Sequence, residues 1–141
     1  MLKAWLLVPR INDITTTPDN PPQYEKLRPS KYPEKNKALQ MKAYPDLQPM
    51  TLNVRASEAL EKVKAAATQL GWKIVNINST QFRLEAVDIT PLMRFRDDVV
   101  IEIRPGKNES ESLVHMRSRS RLGQSDLGAN AARIRRFRDS F

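Results

Sequence analysis

The nineteen residues from Met116 to Ile134, MRSRSRLGQSDLGANAARI, restrict the fold more than any other stretch of this chain. They begin as an alternating strand, turn at Gly123 and restart as a helix at Ser125 or Asp126. Side chains of a strand alternate with period two, so Arg117, Arg119 and Arg121 share one face and Met116, Ser118 and Ser120 the other. A strand that sorts its residues this way must be covered differently on its two sides. Small serines let a helix approach closely, so the helix is expected over the serine face. The arginine face is expected to be open or to line a groove.

Periodic segments upstream supply the rest of a sheet. Thr51–Val54 alternates as a short first strand, and Ser57 offers an N-cap to a helix running to Leu70, with Gly71 as its stop. The stripe Leu60, Val63, Ala67 and Leu70 has helical spacing and faces a core. Trp72–Ile77 and Gln81–Ile89 form two strands joined by a turn at Asn78-Ser79-Thr80, with Phe82, Leu84 and Ala86 inward. Phe95–Arg104 is the next strand, with Val99, Ile101 and Ile103 on one face. The polar turn Pro105–Ser110 makes Leu113–Arg121 antiparallel to it. The closing helix places Leu127, Ala131, Ile134, Phe137 and Phe141 on one stripe, with Asn130 at its margin and Arg133, Arg135 and Arg136 pointing elsewhere. The expected fold is therefore α+β: an antiparallel sheet of about five strands with two helices on one face, in the order β-α-β-β-β-β-α.

That domain spans residues 50–141, and residues 1–49 form a lead of different character. Eight of the ten prolines fall between Pro9 and Pro49. Prolines so frequent remove backbone donors and bias their predecessors to extended conformations, which argues against long helices and central strands. The lead is expected to be extended or turn-rich. Tyr24, Leu27, Tyr32, Leu39, Tyr44 and Leu47 are spaced anchors by which it wraps the domain or clasps another molecule. The apolar run Ala4–Val8 is far shorter than the ~20 residues of a membrane span, so no transmembrane helix is expected. Trp5, Leu6 and Leu7 beside Lys3 and Arg10 could rest at a membrane interface, pack on the domain or meet a partner.

The net charge of +8 is unevenly distributed. The last thirty residues hold seven arginines against Asp126 and Asp139. A field concentrated in this way favours an anionic partner: a lipid headgroup, an acidic protein surface or nucleic acid. Sheet proteins that bind nucleic acid place aromatics among their basic residues so that bases can stack, and the basic strand has none. Nucleic acid is therefore the weaker alternative.

Chemistry beyond binding has little to build on. There is no cysteine and a single histidine, His115. No P-loop, dinucleotide fingerprint or nucleophile elbow occurs, so no cofactor, metal or catalytic residue is expected. Asp97 and Asp98 are neighbours on a strand and point to opposite faces, which prevents a shared metal unless a bulge bends the chain. One of them is expected to meet an arginine of the next strand. The best candidate site joins Arg117, Arg119 and Arg121 to the turn and helix start at Ser125, Asp126, Asn130 and Arg133, because a helix N-terminus and guanidinium groups together bind anions. The competing expectation is a structural network in which Asp126 takes the anion's place as a cap, or as a partner for Arg121 or Arg133.

Four stretches, INDITTTPDNPPQY, AYPDLQPMTL, FRDDVVIEIRP and RSRSRLGQSDLGANAARI, resemble a bacterial and plastid family known only as domain of unknown function 1499. The resemblance runs from about Arg10 to Phe137. Members of that family often carry an N-terminal signal or membrane segments, so the resemblance implies the cell envelope and peripheral membrane association. The function expected is a non-catalytic binding or assembly module with a basic strand face. The alternatives are a helix-grip domain holding a small ligand or an active site between sheet and helices, and a nucleic-acid binder.

Overall fold

The computed structural model describes residues 8–141, so Trp5, Leu6 and Leu7 lie outside the described residues. The elements in chain order are β1 (Asp13–Thr15), α1 (Glu34–Ala43), β2 (Met50–Leu52), α2 (Ala56–Gln69), β3 (Lys73–Asn78), β4 (Arg83–Ile89), β5 (Arg96–Pro105), β6 (Ser112–Ser120) and α3 (Ala129–Asp139). Among the described residues the fold is α+β, with six strands in one antiparallel sheet and three helices. The sheet order is β1-β6-β5-β4-β3, and β2 also pairs with β6. β1 and β2 share one edge in tandem: β1 pairs with residues from Arg117 to Arg119, and β2 with Ser112 to Val114.

α2 and α3 cover one face of the sheet. Leu60, Val63 and Ala67 of α2 and Ala131, Ile134 and Phe137 of α3 pack on Leu84, Ala86, Val99, Ile101, Val114 and Met116. Trp72 stacks on Phe137 with ring centroids 5.6 Å apart, and Phe137 meets Phe141 edge-on at 5.1 Å. Gly71 ends α2 at φ +82, a conformation costly for a residue with a Cβ. Ser57 is not the cap of α2. Arg55 holds the N-cap position without a side-chain bond, and Ser57 lies inside the first turn.

The lead departs most from expectation. Tyr24, Tyr32, Tyr44 and Leu47 are buried as anchors, whereas Leu39 is 44% exposed. The lead contributes β1, and it contains a ten-residue helix where an extended or turn-rich segment was expected. The prolines flank that helix instead of interrupting it. Pro33 holds its N-cap position at φ −67, and Pro45 follows its C-cap residue Tyr44.

Nor does α1 show an apolar stripe, because its buried side chains are Asn36 and Gln40. Gln40 Oε1 accepts from Thr15 N at 3.0 Å, and its Nε2 donates to Thr15 O at 2.6 Å. Asn36 Nδ2 donates to Asp13 O at 3.1 Å. The helix thus satisfies the outer edge of β1, which would otherwise present unpaired backbone groups.

The three layers are therefore two helices, the sheet, and the lead. Residues 16–33 run across the face opposite α2 and α3, which is the face that carries the arginines.

Candidate functional site

β6 sorts its side chains as the alternation predicts, but neither face is open along its length. On the arginine face, exposure of the side chains rises along the strand from 0% at Arg117 to 10% at Arg119 and 40% at Arg121. The expectation of an open face is corrected at Arg117. The lead closes over that end because its tyrosines and carbonyls supply what guanidinium groups need.

Arg117 donates to both oxygens of Asp13 and to Pro22 O at 3.3 Å. Burial is the largest single influence and would lower its pKa, but the bonds to Asp13, the Asp13 charge and the neighbouring tyrosines together raise it. Tyr24 lies between the first two arginines, its ring centroid 3.8 Å from Arg119 Cζ and 4.9 Å from Arg117 Cζ. Its hydroxyl donates to Asp98 O at 2.8 Å, and burial pushes its pKa well up.

Asp98 stands directly across from Arg119 in the β5–β6 register, as expected for one of the paired aspartates. Arg119 donates to Asp98 Oδ2 from Nε at 3.2 Å and from Nη2 at 2.9 Å, and Arg121 donates from Nε to Oδ1 at 2.9 Å. The same Arg119 reaches Ser30 Oγ and, at 2.5 Å, Arg28 O. Beyond these contacts the face opens into a groove of about 580 Å³, bounded by Lys26, Arg28 and Ser30 of the lead and by Arg119 and Arg121. Sequence reasoning missed Lys26, Arg28 and Ser30. They lie about ninety residues upstream, and nothing local marks them as neighbours of β6.

The serine face is covered by α3, as expected. Ser118 Oγ donates to Asn130 Oδ1 at 2.6 Å, and Asn130 Nδ2 donates to Ser120 Oγ at 2.9 Å. Arg133 does not point away: it is 1% exposed and runs under the sheet. Its Nε donates to Asp88 Oδ2 at 2.7 Å, and its Nη1 to Asn130 Oδ1 at 2.7 Å.

Asp97, which shares this face, lies 2.7 Å from Arg133 Nη2, yet its oxygens have no partner in hydrogen-bond geometry. The contact is ionic and oblique. Burial outweighs it and raises the Asp97 pKa.

α3 begins at Ala129, later than Ser125 or Asp126, because Leu127 and Gly128 both adopt positive φ, 53° and 87°. Asp126 still serves the helix start. Its Oδ1 accepts from Gly128 N at 2.8 Å, and its Oδ2 from Asn130 N at 3.2 Å. Ser125 Oγ accepts from Leu127 N at 3.3 Å. Asp126 is the partner of neither Arg121 nor Arg133.

The seven candidate residues thus fall on opposite sides of β6. Arg117, Arg119 and Arg121 face the lead, whereas Asn130 and Arg133 belong to the helix side with Asp126 and Ser125 at its loop.

The C-terminal charge excess is largely met by carboxylates from elsewhere in the chain. Arg117, Arg119, Arg121 and Arg133 pair as above, and Arg135 and Arg138 share Asp46 at 2.7 and 3.1 Å. Bonds from Arg135, then Arg138, hold Asp46 well below the usual carboxylate range despite some desolvation. Arg136 forms no ion pair among the described residues.

His115 Nδ1 lies 2.5 Å from Thr17 Oγ1, and burial, reinforced by Arg104, pushes its pKa down to about 4. A small cavity beside β6 and α3, lined by Leu47, Met50, Val114, Met116, Ile134 and Phe137, measures about 20 Å³. Among the described residues no group of three His, Cys, Asp or Glu could hold a metal ion, and no helix is long and apolar enough to cross a membrane.

A family model described as a protein of unknown function (DUF1499) matches residues 13–141. No curated protein matches the sequence.

Proposed function

We propose, from the premise that this chain belongs to the DUF1499 family, that it is a non-catalytic binding or assembly module of the cell envelope whose arginine groove takes an anionic partner. One observation carries the reading. The groove at the Arg121 end brings the cations Lys26, Arg28 and Arg121 together; Lys26 and Arg28 make no ion pair among the described residues, and Arg121 shares the one carboxylate of Asp98 with Arg119. Arg117 and most of Arg119 serve to build this groove. Their charges are spent on Asp13 and Asp98, so recognition falls to the exposed cations around them.

The alternatives draw less support. A helix-grip ligand site needs a chamber between sheet and helices, whereas Leu60, Val63, Ala131, Ile134 and Phe137 pack directly on the sheet in one core. A single-strand nucleic-acid site needs exposed aromatics for stacking. On the arginine face the aromatics, Tyr24 and Tyr32, are instead buried against Arg117.

The test is calorimetric titration of the full chain with an oligoaspartate peptide and with glycerophosphoserine, a soluble headgroup, at low and physiological salt. Wild type is expected to bind at least one of them, more weakly as salt rises. The variant Lys26→Gln/Arg28→Gln, which touches no ion pair, should keep its melting temperature and lose affinity about tenfold or more. Folded wild type that binds neither anion at low salt would sink the reading.

A further inference from the structure

The arginine groove ends at a second surface. At the end of the sheet where β4 turns into β5 and β6 leaves for α3, two loops hold large apolar side chains in solvent. Leu92 is 90% exposed, Met93 64% and Phe95 46% in the first loop; Leu122 is 71% and Leu127 73% exposed in the second. The loops are neighbours. Arg121 N donates to Arg96 O at 3.4 Å, and Phe95, Leu122 and Leu127 line one cavity of about 590 Å³.

These tips are held out by built turns. Thr90 organises the first loop: its N–H donates to Phe95 O at 2.8 Å, its carbonyl accepts from Arg94 N at 3.0 Å, and its Oγ1 accepts from Phe95 N at 2.8 Å. Arg94 takes φ 60 to close that turn. In the second loop Asn12 Nδ2 donates to Gly123 O at 2.6 Å, and Asp126 N donates to Ile11 O at 3.1 Å. A protein that anchors both loops and still exposes five large apolar residues there is presenting them.

The charges around the tips choose the partner. Arg94, Arg96 and Arg121 are exposed and alternate with the apolar residues along the chain; Arg94 and Arg96 make no ion pair among the described residues, and Arg121 shares Asp98 with Arg119. The carboxylate these loops contain, Asp126, is half-buried and occupied by Gly128 N and Asn130 N. Apolar groups that protrude, ringed by cations, suit the boundary of an anionic bilayer. Such a boundary admits side chains to a shallow depth, while guanidinium groups meet phosphates and their stems lie along acyl chains. Arg121 borders both this surface and the basic groove, so the two are continuous.

We infer that this end of the sheet docks on an anionic lipid bilayer, inserting Leu92, Met93, Phe95, Leu122 and Leu127 while Arg94, Arg96 and Arg121 contact headgroup phosphates. The inference rests on the reading that the partner is anionic, and it names that partner as a membrane surface.

The test is co-sedimentation of the full chain with vesicles of phosphatidylglycerol in phosphatidylcholine, and with phosphatidylcholine alone. Binding is expected to the anionic vesicles. Leu92→Ser/Leu122→Ser/Leu127→Ser should weaken it on the order of tenfold or more, with the melting temperature unchanged because these side chains are already exposed. The chain has no cysteine, so Leu122→Cys can carry a single polarity-sensitive dye. Its emission should shift to the blue on anionic vesicles, whereas the same dye on Ser57→Cys, at the start of α2, should not respond. Equal sedimentation of the triple-serine variant and wild type overturns the inference, and so does an unresponsive dye at position 122. If the soluble anions of the calorimetric test still bind, the module reading survives that failure; if they also fail, both fall.

Discussion

Asp13 sits directly opposite Arg119 in the β1–β6 register, yet its carboxylate grips Arg117, two residues along the same face. Nε to Oδ1 is 3.0 Å and Nη2 to Oδ2 is 2.8 Å, a bidentate pair with the Arg117 side chain at 0% exposure. Arg119 is left to Asp98 on the other neighbouring strand, so β6 is clamped from both sides by carboxylates it does not contain.

Breaking this pair on one side leaves a charge buried without its counterion. Asp13→Asn should cost about 3–5 kcal/mol of unfolding free energy. The double replacement Asp13→Leu/Arg117→Met removes both charges and should recover part of that loss. Urea unfolding of the three proteins decides it. A single variant that costs less than about 1 kcal/mol would show that the pair behaves like an exposed one.

The lead is pinned at a second point, the buried carboxylate of Glu85. Its oxygens accept from the backbone N–H groups of Glu25, Lys26 and Leu27 at 2.7, 2.8 and 3.1 Å, and from Asn76 Nδ2 at 2.9 Å. Glu85→Gln turns an –NH2 group toward donors and should cost about 2–3 kcal/mol locally. The backbone around Lys26 then loosens, and trypsin should cut the Lys26–Leu27 bond faster than in wild type; Arg28, followed by Pro29, is not a trypsin site. Unchanged cleavage would mean that the lead is held without Glu85.

Acid should weaken the fold through His115. Its folded pKa, about 4, lies below the ordinary 6.5, so between these values the unfolded chain binds the proton first. Stability is complete above about pH 6.5 and is lost as pH falls toward 4, by up to a few kcal/mol. His115→Gln lacks this titration, so the stability difference between wild type and variant should shift against wild type across that window. Urea midpoints that fall in parallel for both proteins would exclude His115 as the source.

The sequence by itself determined the elements whose two faces differ in polarity. β3 to β6 and α2 are legible because apolar residues recur at the period of the element that buries them, and the Arg/Ser alternation of β6 assigned each face correctly. The antiparallel order followed from short connections. What only the tertiary structure decided is what lies against each face. α1 escaped detection because its inner face hydrogen-bonds the edge of β1 through Asn36 and Gln40 and leaves no apolar period. Arg133 read as lying off the apolar stripe, as a member of the anion site or a partner of Asp126; here Asp88 and Asp97, brought in from β4 and β5, take that role and make its burial tolerable. The charge excess of the last thirty residues looked free for a partner, but charge along a chain says nothing of which carboxylates return to it in space. Asp13, Asp46 and Asp98 return across long sequence separations and neutralise most of it. The cations that remain exposed, at the Arg121 end and around the two apolar loops, are selected by the packing of the lead and not by any local pattern.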